Sequence, residues 1–403
     1  MSPTNARFDP QAPLDAAPDP WRAADQPSLR AGPPYHMTEM IAAEPALAGR
    51  ILERLADPSG PAGRLAGAVG QAASAGDRIV LTGCGTSEHA GLAIVEILRE
   101  GIRAAGMHGG PGSVVSVQAF ELALDPPSSG LVIGVSHEGG TPATNRALAA
   151  AAAAGATTAL ITASADSPGA QIAEIVVATV ELDRSWCHTV GYLSPVVAGA
   201  AVGAHLSGRS LPVDDVVALV AAGTRDEAGS EGIAAHLADA RHLLVLASGA
   251  DRPAARELVL KVEEASWLPS AMRDLETFLH GHLPATDEST GLILVLTDRD
   301  SREERFERAH QALGAARVLG IRSAAILARD ADGDLSAELT PAGRLIVEEA
   351  PSLPAPVAAL IGSATPLQLL TERLARARGT NPDPIRRDDA RYRAASEVAE
   401  DGA

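Results

Sequence analysis

Lysine is almost missing from this chain: of 33 basic residues among 403, Lys261 is the one lysine and the rest are arginine. A compositional drift toward arginine explains the others without reference to function. The exception is of interest because a guanidinium cannot copy an ammonium's point charge and adjustable pKa. Aromatic residues are scarce too, at 2%, which removes the stacking platforms that single-stranded nucleic acid uses. Acidic residues outnumber basic ones by 51 to 33, for a net charge of −18. Such a chain repels phosphate backbones and anionic lipid, so neither nucleic acid nor a membrane surface is expected as a partner. The two cysteines, Cys84 and Cys187, lie far apart and offer neither a disulfide framework nor a CxxC knuckle, as expected in a reducing cytoplasm. No basic segment followed by an apolar one opens the chain, and no run reaches the ~20 strongly apolar residues of a membrane span. Ala147 to Ala163 comes nearest and is broken by Gly155, Thr157 and Thr158, which suits a buried helix leading into a strand.

What is present is enough apolar residue, 46% of the chain, for two hydrophobic cores. Residues 1–35 are rich in Pro, Ala and Asp without periodicity and read as a disordered or draped arm. Met37, Met40, Ile41, Leu47, Ile51 and Leu55 then recur at helical spacing, up to a Pro/Gly break at Asp57 to Gly63. Alternating apolar strands and helices follow: DRIVLTG, Ser87 to Glu100, LVIGVSH, Thr144 to Ala154, ALITAS and EIVVATVEL. After a linker expected around Ser210 to Glu231 the order returns: HLLVLASG, Arg252 to Ser266, GLILVLTD, Glu303 to Leu319, SAAILA and GRLIVEE. Setting DRIVLTGCGTSEHAG over HLLVLASGADRPAAR aligns Gly83 with Ser248 and Gly85 with Ala250 without a gap. The expectation is an α/β protein with two doubly wound, flavodoxin-like parallel sheets in tandem. One domain spans 36–212 and the other 225–378, with further helices near the end and a polar arm over 379–403.

Two glycine-rich, hydroxyl-bearing loops stand at strand ends of the first copy, GCGTSEHAG and SHEGGTPAT. At the carboxyl end of parallel strands, helix N-termini present free amides, and Ser and Thr add donors. Gly85, Thr86, Ser87, Ser136, Gly139, Gly140 and Thr141 can cradle one phosphate there, or they can be ordinary caps and turns. Glu88 breaks a GxGxxG fingerprint, and no lysine follows to make a Walker loop. The second copy has ASGADRP and LTDRDSREE in their place, together with a polar stripe of Glu257, Lys261 and Glu264 at i, i+4 and i+7. That stripe is either a solvated set of ion pairs or, given the apolar neighbours Val262 and Trp267, a partly desolvated site. FLHGHLP places His280 and His282 near Glu276, without a third ligand at metal-binding spacing, so no metal is expected.

With these residues in hand, the chain resembles the tandem SIS (sugar isomerase) family, the arrangement of the isomerase half of glucosamine-6-phosphate synthase. The resemblance covers about Met37 to Arg393. It is carried by GCGTS at Gly83 to Ser87, by SHEGGT where relatives often have SQSGET, by ELVLKVEE, by FLHGH and by PLQLL. It implies that Ser87, Ser136, His137 and Thr141 hold a sugar phosphate, that Glu264 carries a proton between C1 and C2 beside Lys261, and that His280 opens the sugar ring, often from a neighbouring subunit. Thr189, in SWCHTVGY, aligns loosely with another substrate loop. Glu138 departs from the pattern by replacing a second serine. A carboxylate beside a phosphate is repulsive, so Glu138 either turns away to bind a sugar hydroxyl or marks a substrate that is not a plain phosphate ester.

The implied function is a sugar-phosphate aldose/ketose isomerase, or an amino-sugar-phosphate isomerase that releases its nitrogen as a deaminase or deglycase, without a cofactor and as a homodimer. The alternatives are a non-catalytic sugar-phosphate sensor and an aminotransferase-like isomerase taking ammonia from a partner. Glutamine-dependent transamination is not expected, because the chain opens MSPTNARF rather than with a cysteine glutaminase and its arm, NPDPIRRDDARYRAA, lacks the family's Schiff-base lysine. Arg386, Arg387 and Arg391 of that arm can clamp an anion or simply be solvated.

Overall fold

In a computed structural model of the protein, which describes residues 8–16, 27–107 and 113–400, two parallel five-stranded sheets follow one another along the chain. The first comprises β1 (Ile79–Thr82), β2 (Val114–Ser116), β3 (Leu131–Val135), β4 (Thr157–Thr162) and β5 (Ile175–Ala178), in the order β2-β1-β3-β4-β5. The second comprises β6 (His242–Ala247), β7 (Ser270–Asp274), β8 (Thr290–Leu296), β9 (Arg322–Ala328) and β10 (Gly343–Val347), in the order β7-β6-β8-β9-β10. Renumbered within each half, the two orders are the same, 2-1-3-4-5, so the internal repeat expected from the sequence is a repeat of topology. Central strands such as β3 and β8 are buried along their whole length. Helices cover both faces, which is why these strands read as continuous apolar runs instead of alternating ones.

The scarcity of aromatics has its counterpart in close helix packing. The Val190–Ser207 helix lies against the Thr86–Ala104 helix, and a Cβ added to Gly199 would sit 2.6 Å from Ile94 Cγ1. A larger residue there would push the helices apart. Among the described residues, Val190–Ser207 is also the helix long and apolar enough to cross a membrane, rather than the Ala147 to Ala163 run. It is buried inside the protein, which accounts for its apolar character. The 24-residue Ala355–Arg378 helix packs against both halves. Leu360, Ile361, Leu367, Leu370 and Leu374 on it are almost wholly buried, each contributing about 1.5–3 kcal/mol relative to exposure.

Several elements differ from the expectation. The stretch read as a linker forms two helices, Val213–Gly223 and Glu227–Leu237, both packed on the Ala355–Arg378 helix. Their apolar stripes (Val216, Leu219 and Val220; Ile233, Ala234 and Leu237) are short and diluted by Ala, Gly and acidic residues. A helix, Pro61–Ala75, begins inside the Pro/Gly break read at Asp57 to Gly63, and the edge strands β2 and β7 carry no long apolar run to announce them. The arm beyond Gly379 is tied down before it ends in the helix Ala390–Glu400. Asp383 accepts the amides of His36 and Met37 at 2.9 Å each, capping the first helix, and Thr380 Oγ1 donates to Ala265 O at 2.7 Å. Near the other end, Leu14 is buried and its amide donates to Glu181 at 2.8 Å, so residues 8–16 lie draped on the first half.

Candidate active site

Both glycine-rich loops of the first half lie at strand ends, as the sequence placed them. The first turns straight from β1 into the Thr86–Ala104 helix, leaving Gly85 exposed, Thr86 buried and Ser87 between. The second links β3 to the Pro142–Ala154 helix. Ser136, almost fully buried, has its hydroxyl 3.2 Å from that of Thr141 and accepts the Gly139 amide at 3.2 Å. Gly139 has φ +75°, and a Cβ there would lie 2.0 Å from Ser167 Oγ; only glycine lets this loop fold over the strand end.

The second half contributes its polar stripe directly to these loops. Thr86 Oγ1 donates to Glu257 Oε1 at 3.2 Å, and His89 Nδ1 lies 2.8 Å from Glu257 Oε2. Glu257 Oε1 is 3.7 Å from Lys261 Nζ, which donates to Glu264 Oε2 at 2.5 Å. Lys261 is 0% exposed. Burial alone would lower its pKa, but Glu264, Cys187 and Glu257 overcome that and hold the ammonium above its ordinary range. Burial raises Glu264 above the ordinary carboxylate value against the opposing pull of Lys261. A chain of contacts therefore runs from the Thr86 turn of one half to Glu264 of the other within a single protomer.

Asp183, which sequence reading passed over, sits beside this chain. It accepts the amides of Ser185 (3.1 Å), Thr189 (2.7 Å) and Gly191 (3.3 Å), capping the Val190–Ser207 helix. Burial pushes its pKa up to about 6, against those amides and the charge of Lys261. The Asp183 amide donates to His137 Nε2 at 3.0 Å. That nitrogen must then be unprotonated, so a neutral His137 carries its proton on Nδ1, which is buried without a partner. Burial lowers His137 to about 4, keeping it neutral. Its ring lies 5.3 Å from that of His188, and the wholly buried Thr189 leaves its hydroxyl unpartnered. Glu138 is half-buried and makes no hydrogen bond or ion pair among the described residues. Burial, and then Asp183, raise its pKa. His89 and Asp183 left little trace in the sequence: one stands a helical turn after Thr86, and the other looks like an ordinary cap.

His280 lies elsewhere in the protomer. Its side chain is 77% exposed, and Nε2 pairs with Glu276 at 2.7 Å on the Phe278–His282 turn. The three arm arginines also diverge. Arg391 pairs with Asp389 (2.8 Å), while Arg387 stacks on Trp186 at 5.1 Å. Arg386 is held between Trp267 (4.4 Å) and Tyr392 (4.0 Å), lining a cavity of 340 Å³ that also reaches Glu264. Cys84 and Cys187 are free, and burial raises both thiols away from the reactive thiolate.

The equivalent strand ends of the second half are filled from within. Asp251, aligned with Thr86, accepts the amides of Thr297 (2.9 Å) and Asp298 (3.0 Å) and the Thr297 hydroxyl. Asp298 accepts the Ala250 amide at 2.9 Å and pairs with Arg305. Two of the chain's own carboxylates thus take the amides that a ligand anion would need.

The fold has counterparts among known proteins. Residues 236–335 match the SIS domain family model. Over 326 residues the chain is 27% identical to a glutamine–fructose-6-phosphate aminotransferase (isomerizing) of Gloeobacter violaceus, covering 77% of this chain and 51% of that protein. The chain thus spans about half the length of the curated relative it matches. The C-terminal domain of glucosamine-fructose-6-phosphate aminotransferase from Francisella tularensis superposes with a TM-score of 0.72 at 17% identity, covering 88% of this chain and 99% of that one. Tagatose-6-phosphate ketose/aldose isomerase from Escherichia coli superposes with a TM-score of 0.69 at 20% identity, covering 90% and 98%. The SIS domain match lies within the second half, and the chain's two like-ordered sheets share the fold of these solved structures.

Proposed function

We propose that the protein is an isomerase of a carbohydrate derivative, moving a proton between C1 and C2, either as an aldose/ketose isomerase or as an isomerase that releases nitrogen from an amino sugar. The observation that supports this most is the buried Lys261, paired with Glu264 and joined through Glu257 to the Thr86 turn of the other half. A solvated stripe would not bury its lysine. Glu264, as carboxylate, takes the carbon-bound proton next to the carbonyl; the C–H electron pair forms the enediolate double bond and the carbonyl oxygen takes the negative charge, beside the Lys261 ammonium. The proton of the other enediolate oxygen passes to the charged one, Glu264 returns the carbon proton to the adjacent carbon, and no electron is gained or lost overall. The first-half loops hold the far end of the sugar, turning binding energy into orientation at C1 and C2. In this reading His280 opens the ring from a second copy in a cytoplasmic homodimer.

Incubating the protein in deuterated water with hexoses, amino-hexoses and their 6-phosphates tests this. Label at C1 or C2 without ammonia selects the isomerase and released ammonia the deaminase or deglycase, while Glu264→Gln should abolish both and keep ligand-induced thermal stabilisation. Label surviving Glu264→Gln would remove Glu264 as the proton carrier. The position of His280 outside the protomer's own site favours a second reading, a sugar sensor without turnover. It predicts stabilisation by a sugar with no label at all.

A further inference from the structure

The groups around the first-half loops are an unusual company for a phosphate. Glu257 and Glu264 flank the one lysine, Asp183 feels its charge, and Glu138 lies in turn within the electrostatic reach of Asp183. Among the described residues, no arginine or lysine bonds to or ion-pairs with any residue of the loops 83–87 and 136–141. Arg386 stands at the Glu264 side, stacked between two rings. Several donors that a phosphate would recruit are already engaged: the Gly139 amide with Ser136, the Thr86 hydroxyl with Glu257 and the Asp183 amide with His137. The buried donors left unpartnered include two neutral ones, the His137 Nδ1–H and the Thr189 hydroxyl, and neither the half-buried Glu138 carboxylate nor the Ser87 hydroxyl makes a bond among the described residues.

A carboxylate has only acceptor sites. A phosphate dianion has no proton to offer it, whereas a sugar hydroxyl has one. We propose that Glu138 selects an unphosphorylated substrate, a sugar or amino sugar whose far hydroxyl donates to Glu138 and accepts from neutral donors such as His137 Nδ1–H. The proposal rests on the isomerase reading of the site and narrows its substrate class. It also explains why no arginine accompanies these loops: the charge to be met is the chain's own. Discrimination arises from repulsion of the phosphorylated competitor as much as from attraction of the hydroxyl.

The test compares glucosamine with glucosamine 6-phosphate, and fructose with fructose 6-phosphate, by calorimetric titration and thermal shift. The full-length protein should bind each free sugar at least about tenfold more tightly than its phosphate, since like charges in one site cost several kcal/mol. Glu138→Ser should fold normally, because Glu138 makes no bond among the described residues, and should gain at least about tenfold in phosphate affinity. Glu138→Gln should narrow the discrimination while keeping the free sugar bound. Tighter binding of the phosphate by the unaltered protein, or a preference unchanged in Glu138→Ser, overturns the proposal, as does binding of neither form. Deuterium exchange separates the two claims. Exchange on a phosphate bound more tightly than its free sugar leaves the isomerase reading standing without this one, and preferred binding of free sugar without exchange does the reverse.

Discussion

Thr86, on the first helix turn of one copy, donates its hydroxyl to Glu257 of the other at 3.2 Å. Glu257 also faces His89 and Lys261, so this carboxylate is one joint between the two halves.

Removing the joint should weaken the fold. Glu257→Ala leaves the buried Lys261 with Glu264 as its one remaining carboxylate and takes the acceptor from Thr86 and His89, and should cost roughly 3–5 kcal/mol, whereas Thr86→Val, which leaves His89 on Glu257, should cost about 1 kcal/mol. Denaturant unfolding of both variants measures the difference. Equal, small losses would show that Glu257 does not join the halves energetically.

Lys261 should resist its customary replacement. Lys261→Arg puts a planar fork where a point donor reaches two carboxylates on its own helix, at 2.5 and 3.7 Å. Deuterium exchange should fall by about a hundredfold or more in both Lys261→Met and Lys261→Arg, since the charge that meets the enediolate is lost or displaced. Full exchange in the arginine variant would assign Lys261 to packing alone.

His280, paired on the surface with Glu276, acts in the proposed mechanism only from a second copy. His280→Ala and Glu264→Gln should each be inactive alone. Refolded together in equal amounts they should regain about a quarter of full activity, because half the dimers then hold one complete site. No recovery, with mixed dimers demonstrated, would place both groups in one subunit's site or remove His280 from the chemistry.

Acid should expose the buried His137. Its pKa, lowered to about 4, lies below the ordinary 6.5, so the unfolded chain binds the extra proton in that window and stability from this group falls as pH drops from about 6.5 to 4. The loss approaches about 3 kcal/mol. Asp183, raised to about 6, works the other way: the folded state holds its proton between 6 and 3.8, so this group gives back stability on acidification. The contrast with His137→Gln isolates the imidazole, since Asp183 is common to both. The gap in melting temperature between the two proteins should change in favour of the glutamine variant between pH 6.5 and 4. A constant gap would mean that His137 is charged or solvated in the folded state.

Parts of the site were legible because chemistry showed through local spacing. Glu257, Lys261 and Glu264 share a helix, so i, i+4 and i+7 put them on one stripe, and Thr86 and Ser136 follow apolar strands directly. Asp183 and His89 were not legible, because neither belongs to a pattern: one caps a helix as many aspartates do, and the other gains meaning only opposite a residue 168 positions away. The two helices within 213–237 stayed hidden for a different reason, their apolar stripes being too short to outweigh the alanines and acids between them.

The order of strands and turns, written into apolar runs and glycines, already carried the doubled parallel architecture, since strands buried on both faces must be apolar throughout. It also carried the odd carboxylate at Glu138. Burial of Lys261, neutrality of His137 and occupation of the second copy's strand ends by Asp251 and Asp298 were decided only when distant segments packed together. Charge and proton state depend on what surrounds a group in space, and that surrounding is assembled from residues the chain keeps far apart.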